Sequence, residues 1–299
     1  MNTSFKFVEK KNFWLMISIT IIIIGISLMT VRFFQAKPIL NFGIDFMGGN
    51  TFHLKLNNTN TENSSINTLT SIRNALAQYK LENSQIQFSN NDEVYIKTIA
   101  IEKNKTTEIL NNIRENVGPI EVLEIDFIGP SIGKSLQKQA FLIIIFVTGA
   151  LLLYITLRFQ LSFGLAAILA LLHDGLIIFS FTSILNLEIN IAFIAALLTI
   201  LGYSINDTIV IFDRIREKTE NYVSGNINEL TNTSLNQTLQ RTLNTSVTTL
   251  MVISALILFG GKTIQEFCII LAIGILSGTY SSLCIASPIL AKLYKQPPS

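Results

Sequence analysis

Charge is what this sequence has least of. Only 14% of its 299 residues are Asp, Glu, Lys or Arg, whereas a soluble chain carries about a quarter. The deficit falls in long uncharged runs, which excludes a soluble globular protein and implies an integral membrane protein. The mean hydropathy of +0.48 agrees. Net charge is small as well, +2 at pH 7, and that excludes a nucleic-acid footprint. Cysteine is nearly absent. Cys268 and Cys284 lie in one apolar run, and on a helix that spacing separates them by about 24 Å, too far for a disulfide. They read as small apolar fillers. No phosphate loop and no zinc motif occurs, so neither a cofactor nor a metal is expected.

No cleavage site follows the first apolar run. Residues 12–31 are uncharged and flanked by Lys10, Lys11 and Arg32. A signal peptide would have a shorter apolar region ending in small residues, so this run reads as a retained anchor. Five further runs, at 139–157, 161–185, 189–212, 242–261 and 267–290, are long enough to cross a hydrocarbon core of about 30 Å. The expected fold class is an α-helical multi-pass membrane protein with six transmembrane helices and a small α+β domain between helices 1 and 2. The expected division is 1–34 for the cytoplasmic N-terminus and first helix, 35–138 for a periplasmic domain, and 139–299 for a five-helix region. That region would contain a cytoplasmic loop at 213–241 and end in a cytoplasmic C-terminus.

Orientation follows from Lys and Arg. With both termini inside, the cytoplasmic segments hold Lys6, Lys10, Lys11, Arg158, Arg214, Arg216, Lys218, Arg241, Lys292 and Lys295, and the short outer loops hold only Lys262. The insert is then extracytoplasmic. Within it, 51–56 alternates as a strand, 64–80 has helical apolar spacing, and 85–89 and 93–101 read as strands around an Asn-Asn-Asp turn. A second helix at 106–117 ends at Gly118-Pro119, and 120–128 is a last strand. The order β-α-β-β-α-β is that of a ferredoxin-like sandwich, a fold that hosts many functions. The sequon at Asn63 carries little weight in a chain this rich in Asn. The polar stretch 225–236 reads as a cytoplasmic loop.

An Asp at the centre of a transmembrane helix costs about 2.5–3.5 kcal/mol on insertion scales, so it faces a partner or water and usually has a use. Two candidates occur. His173-Asp174 lies in the third span, and Asp207 in the fourth, with Ser204 and Thr208 one turn away. Arg241 stands where the fifth span begins, and Thr245, Thr248 and Thr249 continue from it as an expected polar stripe. Burial favours a protonated acid and a nearby cation an ionised one, so small movements between Asp207 and Arg241 could load and unload a proton. For His173, Asp174, Ser204, Thr208 and Thr245 two readings stay open, a secondary relay or the pairing of helices. Asp213, Arg214, Arg216 and Glu217 form a charged cluster that suits a cytoplasmic helix end, or a surface for a cytosolic partner. Gly274 and Gly278 have the spacing of close helix packing. Catalysis is not expected. An intramembrane aspartyl protease needs a Gly-x-Gly-Asp signature that Asp207 lacks, and His173 with Ser204 lacks the surroundings of a rhomboid-like dyad.

Several stretches together resemble the SecF branch of the SecD/SecF family of protein-export membrane proteins, within the resistance-nodulation-division superfamily. They are Phe42-Gly43-Ile44-Asp45-Phe46-Met47-Gly48-Gly49, Phe127-Ile128-Gly129-Pro130-Ser131-Ile132-Gly133, Arg158-Phe159, Leu172-His173-Asp174, the GYSINDTIVIFDRIRE segment from Gly202, and Arg241-Thr242 before Thr245-Ser246. Met47 replaces the family's usual Thr. Gly43, Asp45, Gly48 and Gly49 mark the family's turn after the first helix. The resemblance implies a partner SecD with a matching six-helix half, cooperation with the SecYEG channel and the SecA motor, and use of the proton gradient to draw a translocating preprotein across the bacterial inner membrane. It also implies that Asp207 and Arg241 are the proton-relay pair. A subunit of a proton-coupled small-solute exporter, or a scaffold without transport of its own, is the alternative.

Overall fold

The computed structural model describes residues 5–35, 37–56, 64–82, 84–89, 92–220 and 226–294. The Asn63 sequon, Asn90 and Asn91 of the expected turn, Gly225 and Lys295 lie outside them. In chain order the elements are α1 (Lys11–Phe34), β1 (Asn41–Phe42), α2 (Ile44–Met47), β2 (Gly49–Leu56), α3 (Ser64–Ala77), β3 (Gln85–Ser89), β4 (Glu93–Thr98), α4 (Lys103–Val117) and β5 (Ile120–Ile128). There follow α5 (Pro130–Arg158), α6 (Leu161–Leu185), β6 (Glu188–Ile189), α7 (Ile191–Glu220), α8 (Ile227–Phe259), α9 (Lys262–Ser281), a π-helical turn (Ser282–Ala286) and α10 (Ser287–Leu293). The chain divides into two compact units, Phe42–Phe141 and the remainder.

In the smaller unit the strands run in the order β3-β4-β2-β5, every neighbour antiparallel. Alternation along β2 sends Phe52, Leu54 and Leu56 inward, and β4 adds Val94 and Ile96. Ile72 and Leu76 of α3 and Ile109 and Ile113 of α4 close this core. Period-2 strands and period-3.6 helices thus bury one face each against the other. The open side carries His53, stacked on Tyr95 at 4.0 Å and 2.9 Å from Glu93. Entry to β2 needs glycine twice. Gly48 and Gly49 have φ of 72° and 147°, and a Cβ on Gly49 would stand 2.2 Å from the Thr98 carbonyl oxygen. The motif turn read at Gly43–Gly49 is therefore a short helix, α2, begun at Gly43 with Asp45 in its first turn and ended at Gly48.

In the larger unit six helices are long and apolar enough to cross a membrane: α1, α5, α6, α7, α8 and α9 continued through the π turn into α10. The central three are α6, α7 and α9, and α1 and α5 are largely exposed. Small residues let the central helices approach. A Cβ at Gly274 would meet Ile200 at 2.2 Å, and one at Gly278 would meet Ser204 at 2.8 Å. Phe159, Phe163 and Phe212 interlock at one end, with ring centroids 5.3–6.3 Å apart.

The loop expected at 213–241 is corrected. α7 runs on to Glu220, and α8 begins at Ile227, where the Asn226 side chain caps it by accepting from the Asn228 N–H at 3.0 Å. The polar composition of 227–241 hid a packed helix. Its Thr231, Ser234 and Thr238 hydroxyls bond back to carbonyls of their own helix. Its Asn232 and Asn236 grip the N-terminal segment: Val8 N–H donates to Asn232 at 3.1 Å and Phe5 N–H to Asn236 at 3.0 Å. Polar residues that satisfy one another in this way make a helix that hydropathy does not mark.

Candidate functional site: two buried carboxylates

Asp174, on α6, is fully buried and its acceptor sites are filled. Its Oδ1 accepts from Ser277 Oγ at 2.8 Å and faces His173 Nδ1 at 3.1 Å. Its Oδ2 accepts from Ser204 Oγ at 2.6 Å and Ser281 Oγ at 2.8 Å. Because a carboxylate only accepts, the proton of the neutral imidazole belongs on Nδ1. The other nitrogen, Nε2, then accepts from Ser18 Oγ of α1 at 2.8 Å. Three helices meet at this acid, and the imidazole adds α1 as a fourth.

Asp207, on α7, is nearly as buried but differently served. Thr279 of α9 and Arg241 of α8 are near enough to act on its carboxyl. The Thr279 hydroxyl also faces Ser246 Oγ at 2.6 Å and the Ile275 carbonyl at 2.8 Å. Ser246 can be the donor to Thr279, whose own proton then goes to the Ile275 carbonyl. Asp207 Oδ2 is buried without a hydrogen-bond partner among the described residues. A buried acceptor left without a donor costs free energy. The first acid is held; the second is under-served.

The structure regroups the residues picked from sequence. Ser204, expected beside Asp207, serves Asp174 instead, because positions three apart on a helix point about 60° apart and here meet different neighbours. Thr208 bonds Ser282 Oγ at 2.8 Å and the Ser204 carbonyl at 3.1 Å. Thr245, Thr248 and Thr249 follow Arg241 along α8. Their hydroxyls bond back to carbonyls of α8, and Thr245 and Thr248 are exposed in this chain. Between Arg241 and Thr249 the buried polar positions are Thr242 and Ser246. Arg241 is exposed and, among the described residues, joins no carboxylate within 4.0 Å. Ser18, Ser246, Ser277, Thr279 and Ser281 were missed. Only the spacing of Ser277 and Ser281, one turn apart beside Gly274 and Gly278, could have drawn attention to them.

At the end of α7, Asp213 lies 3.6 Å from Arg158 and 3.4 Å from Arg216, and Arg214 pairs with Glu217. Both Arg158 and Arg216 sit over the Phe159 ring, at 5.7 and 5.4 Å. At this exposure each ion pair is worth about 0–1 kcal/mol. The cluster is internally paired. No group of three or more His, Cys, Asp or Glu is placed to hold a metal among the described residues.

The two acids and the helices that carry them fall within a known family's signature. The pattern described as Protein export membrane protein SecD/SecF, C-terminal, matches residues 108–296. Protein translocase subunit SecF of Sebaldella termitidis is 38% identical over 262 residues, covering 86% of this chain and 84% of that protein. The chain belongs to the SecD/SecF family. The SecF of Rickettsia typhi is similar too, 39% identical over 91% of this chain and 87% of that protein. In three dimensions this SecF-family chain resembles the crystal structure of SecDF from Thermus thermophilus, a translocon-associated membrane protein, with TM-score 0.84 and 32% identity. The likeness covers 97% of this chain but 39% of that one, so the chain spans well under half the length of its solved relative. A second SecDF structure, in a super-membrane-facing form, matches with TM-score 0.67.

Proposed function

We propose that this chain is the SecF-type half of a proton-driven protein-export machine. Asp207 binds and releases protons, Arg241 sets when it does so, and the helix movements that follow are passed to the 42–141 domain, which draws translocating preprotein outward. SecD supplies the matching half, and SecYEG and SecA are the channel and motor served. Both termini face the cytoplasm of a cell whose inner membrane the chain crosses six times. The asymmetry of Lys and Arg supports this, with Lys6, Lys10, Lys11, Arg158, Arg214, Arg216 and Lys292 on one side. The 42–141 domain is then periplasmic. We read it as a ferredoxin-like sandwich, a reading that the order β3-β4-β2-β5 supports.

The observation that carries the relay is the contrast between the acids. Asp174 has its donors in place, whereas Asp207 has a buried oxygen with none and a cation acting from a distance. Such a carboxyl changes proton occupancy when a neighbouring cation moves. One proton crossing 100 mV releases about 2.3 kcal/mol, enough to bias a rocking motion. Asp207→Asn and Arg241→Met are each expected to abolish gradient-dependent export in membrane vesicles while the complex with SecD and SecYEG still copurifies. Full export in either variant removes the relay.

A further inference from the structure

α1 grips the bundle at few points. Within this helix only Ser18 and Gly25 are buried. They lie seven residues apart, and so do the α6 residues they meet. Ser18 Oγ is 2.8 Å from His173 Nε2, and a Cβ on Gly25 would lie 2.5 Å from the Ser180 Cβ. A spacing of seven matches two turns of helix, so these contacts define a seam. At its polar end Tyr280 of α9 joins in, donating to the Trp14 carbonyl and lying 3.2 Å from Ser18 Oγ. The rest of α1 is largely apolar, with Trp14 packed edge-on to Tyr280. The bond between His173 and Ser18 ties α1 to α6 by polar side chains.

The same imidazole faces Asp174, and Asp174 is tied to the helices that flank Asp207. On α7, Ser204 serves Asp174 and Asp207 follows one turn later. On α9, Ser277 and Ser281 serve Asp174, and Thr279, between them, bonds Ser246 of α8 and lies near enough to act on Asp207. α9 thus offers Asp174 two hydroxyls, one on either side of Thr279, and α7 offers it one and carries Asp207 three residues later. A shift of α7 or α9 at Asp207 must stretch the donors at Asp174. Directly after Ser281 comes the π turn Ser282–Ala286, where Ser282 bonds Thr208 at 2.8 Å and Ser287 bonds back to the Ser282 carbonyl five residues earlier. A π turn is a place where a helix's register can change locally.

We propose that His173 and Asp174 are positioning residues, a clasp that transmits the change at Asp207 through α7 and α9 to α1, the helix that leads in sequence into the 42–141 domain. The proposal rests on the Asp207 relay and adds to it the route by which proton occupancy becomes movement. The clasp itself carries no proton across. Four-way attachment and saturated acceptors suit a joint, not a conduit.

The test uses the assembled complex in energised membrane vesicles and reads three quantities: copurification of the subunits, proton flux, and gradient-driven export. Ser18→Ala and His173→Gln cut the seam at its α1 end and leave Asp174 in place. Each is expected to lower gradient-driven export about fivefold or more, the size of an ordinary intersite coupling, with copurification intact and proton flux within about twofold of the parent. Asp207→Asn is the control and should lose both flux and export. If Ser18→Ala and His173→Gln both export as the parent does, the clasp transmits nothing. If flux falls in step with export, these residues belong to the proton path and the proposal is wrong in that form. Should Asp207→Asn retain flux and export, the relay reading fails and takes the clasp with it.

Discussion

Removing the Asp174 carboxylate should be among the most damaging single changes in the membrane unit. The acid accepts at 2.6, 2.8 and 2.8 Å from Ser204, Ser281 and Ser277 and faces His173 Nδ1 at 3.1 Å. Hydrogen bonds between membrane helices average about 0.6 kcal/mol and reach about 1.7, and a charged acceptor places these in the upper part of that range. Asp174→Ala deletes four at once. Ser281 retains an alternative in the Gly278 carbonyl at 3.1 Å, whereas the His173 N–H is left facing a cavity. The expected loss is about 3–5 kcal/mol, four such bonds at about 1 kcal/mol each, against about 1 kcal/mol for Ser281→Ala alone. The assay is unfolding of the chain in mixed micelles with rising dodecyl sulfate, followed by the emission of Trp14. That residue is the chain's one tryptophan and packs edge-on to Tyr280 at 6.2 Å, so its signal reports the undocking of α1. A loss from Asp174→Ala no larger than that from Ser281→Ala would refute the picture of a single acceptor serving four donors.

Other outcomes follow from particular contacts. Gly274→Ala places a Cβ within 2.2–2.7 Å of three Ile200 atoms and should cost about 1–3 kcal/mol in the same titration; Ile200→Ala should relieve part of it, and no relief would mean that the strain lies elsewhere. Asn232→Ala and Asn236→Ala remove the side chains that hold the backbone at Val8 and Phe5. Trypsin should then cleave at Lys6 about fivefold faster per bond of about 1 kcal/mol lost, whereas an unchanged rate would show that the segment is held by Phe7 alone. Burial, with Glu93 and Glu124 nearby, raises the Tyr95 phenol above its ordinary 10.0. The folded state therefore binds this proton more tightly than the unfolded one. The contribution is neutral below pH 10.0 and stability falls as pH rises above it. An absorbance titration of the intact chain, less that of Tyr95→Phe, should show a midpoint above 10.0, and one at or below it would contradict the burial.

How much of this was legible in the sequence depended on which force shaped each part. Hydropathy found all six spans, and for α6 the expected bounds 161–185 are those observed. It failed at the helix ends. α7 and α8 continue beyond the apolar runs through residues such as Arg216, Thr231 and Asn232, whose polar groups bond their own helix or a segment distant in sequence, so nothing in their composition announces a helix. The strands of the smaller unit were visible because one face of β2 is buried and the other is open, which imposes alternation. The acids were visible for the same physical reason, charge being rare in lipid. Their partners were not. Serine is common in membrane helices and bonds its own backbone as readily as a neighbour, as Ser180 does with the Leu176 carbonyl. Which serines turn to Asp174 is decided by how α6, α7 and α9 cross, and a single sequence holds no record of that crossing.

The central claim concerns a proton on one side chain. Infrared difference spectroscopy of the assembled complex, with the Asp207 signal assigned by its absence in Asp207→Asn, tests it most directly. The account predicts a protonated carboxyl band that grows and fades as the gradient across the membrane is imposed and collapsed. A band of constant intensity, or none in either condition, would contradict it.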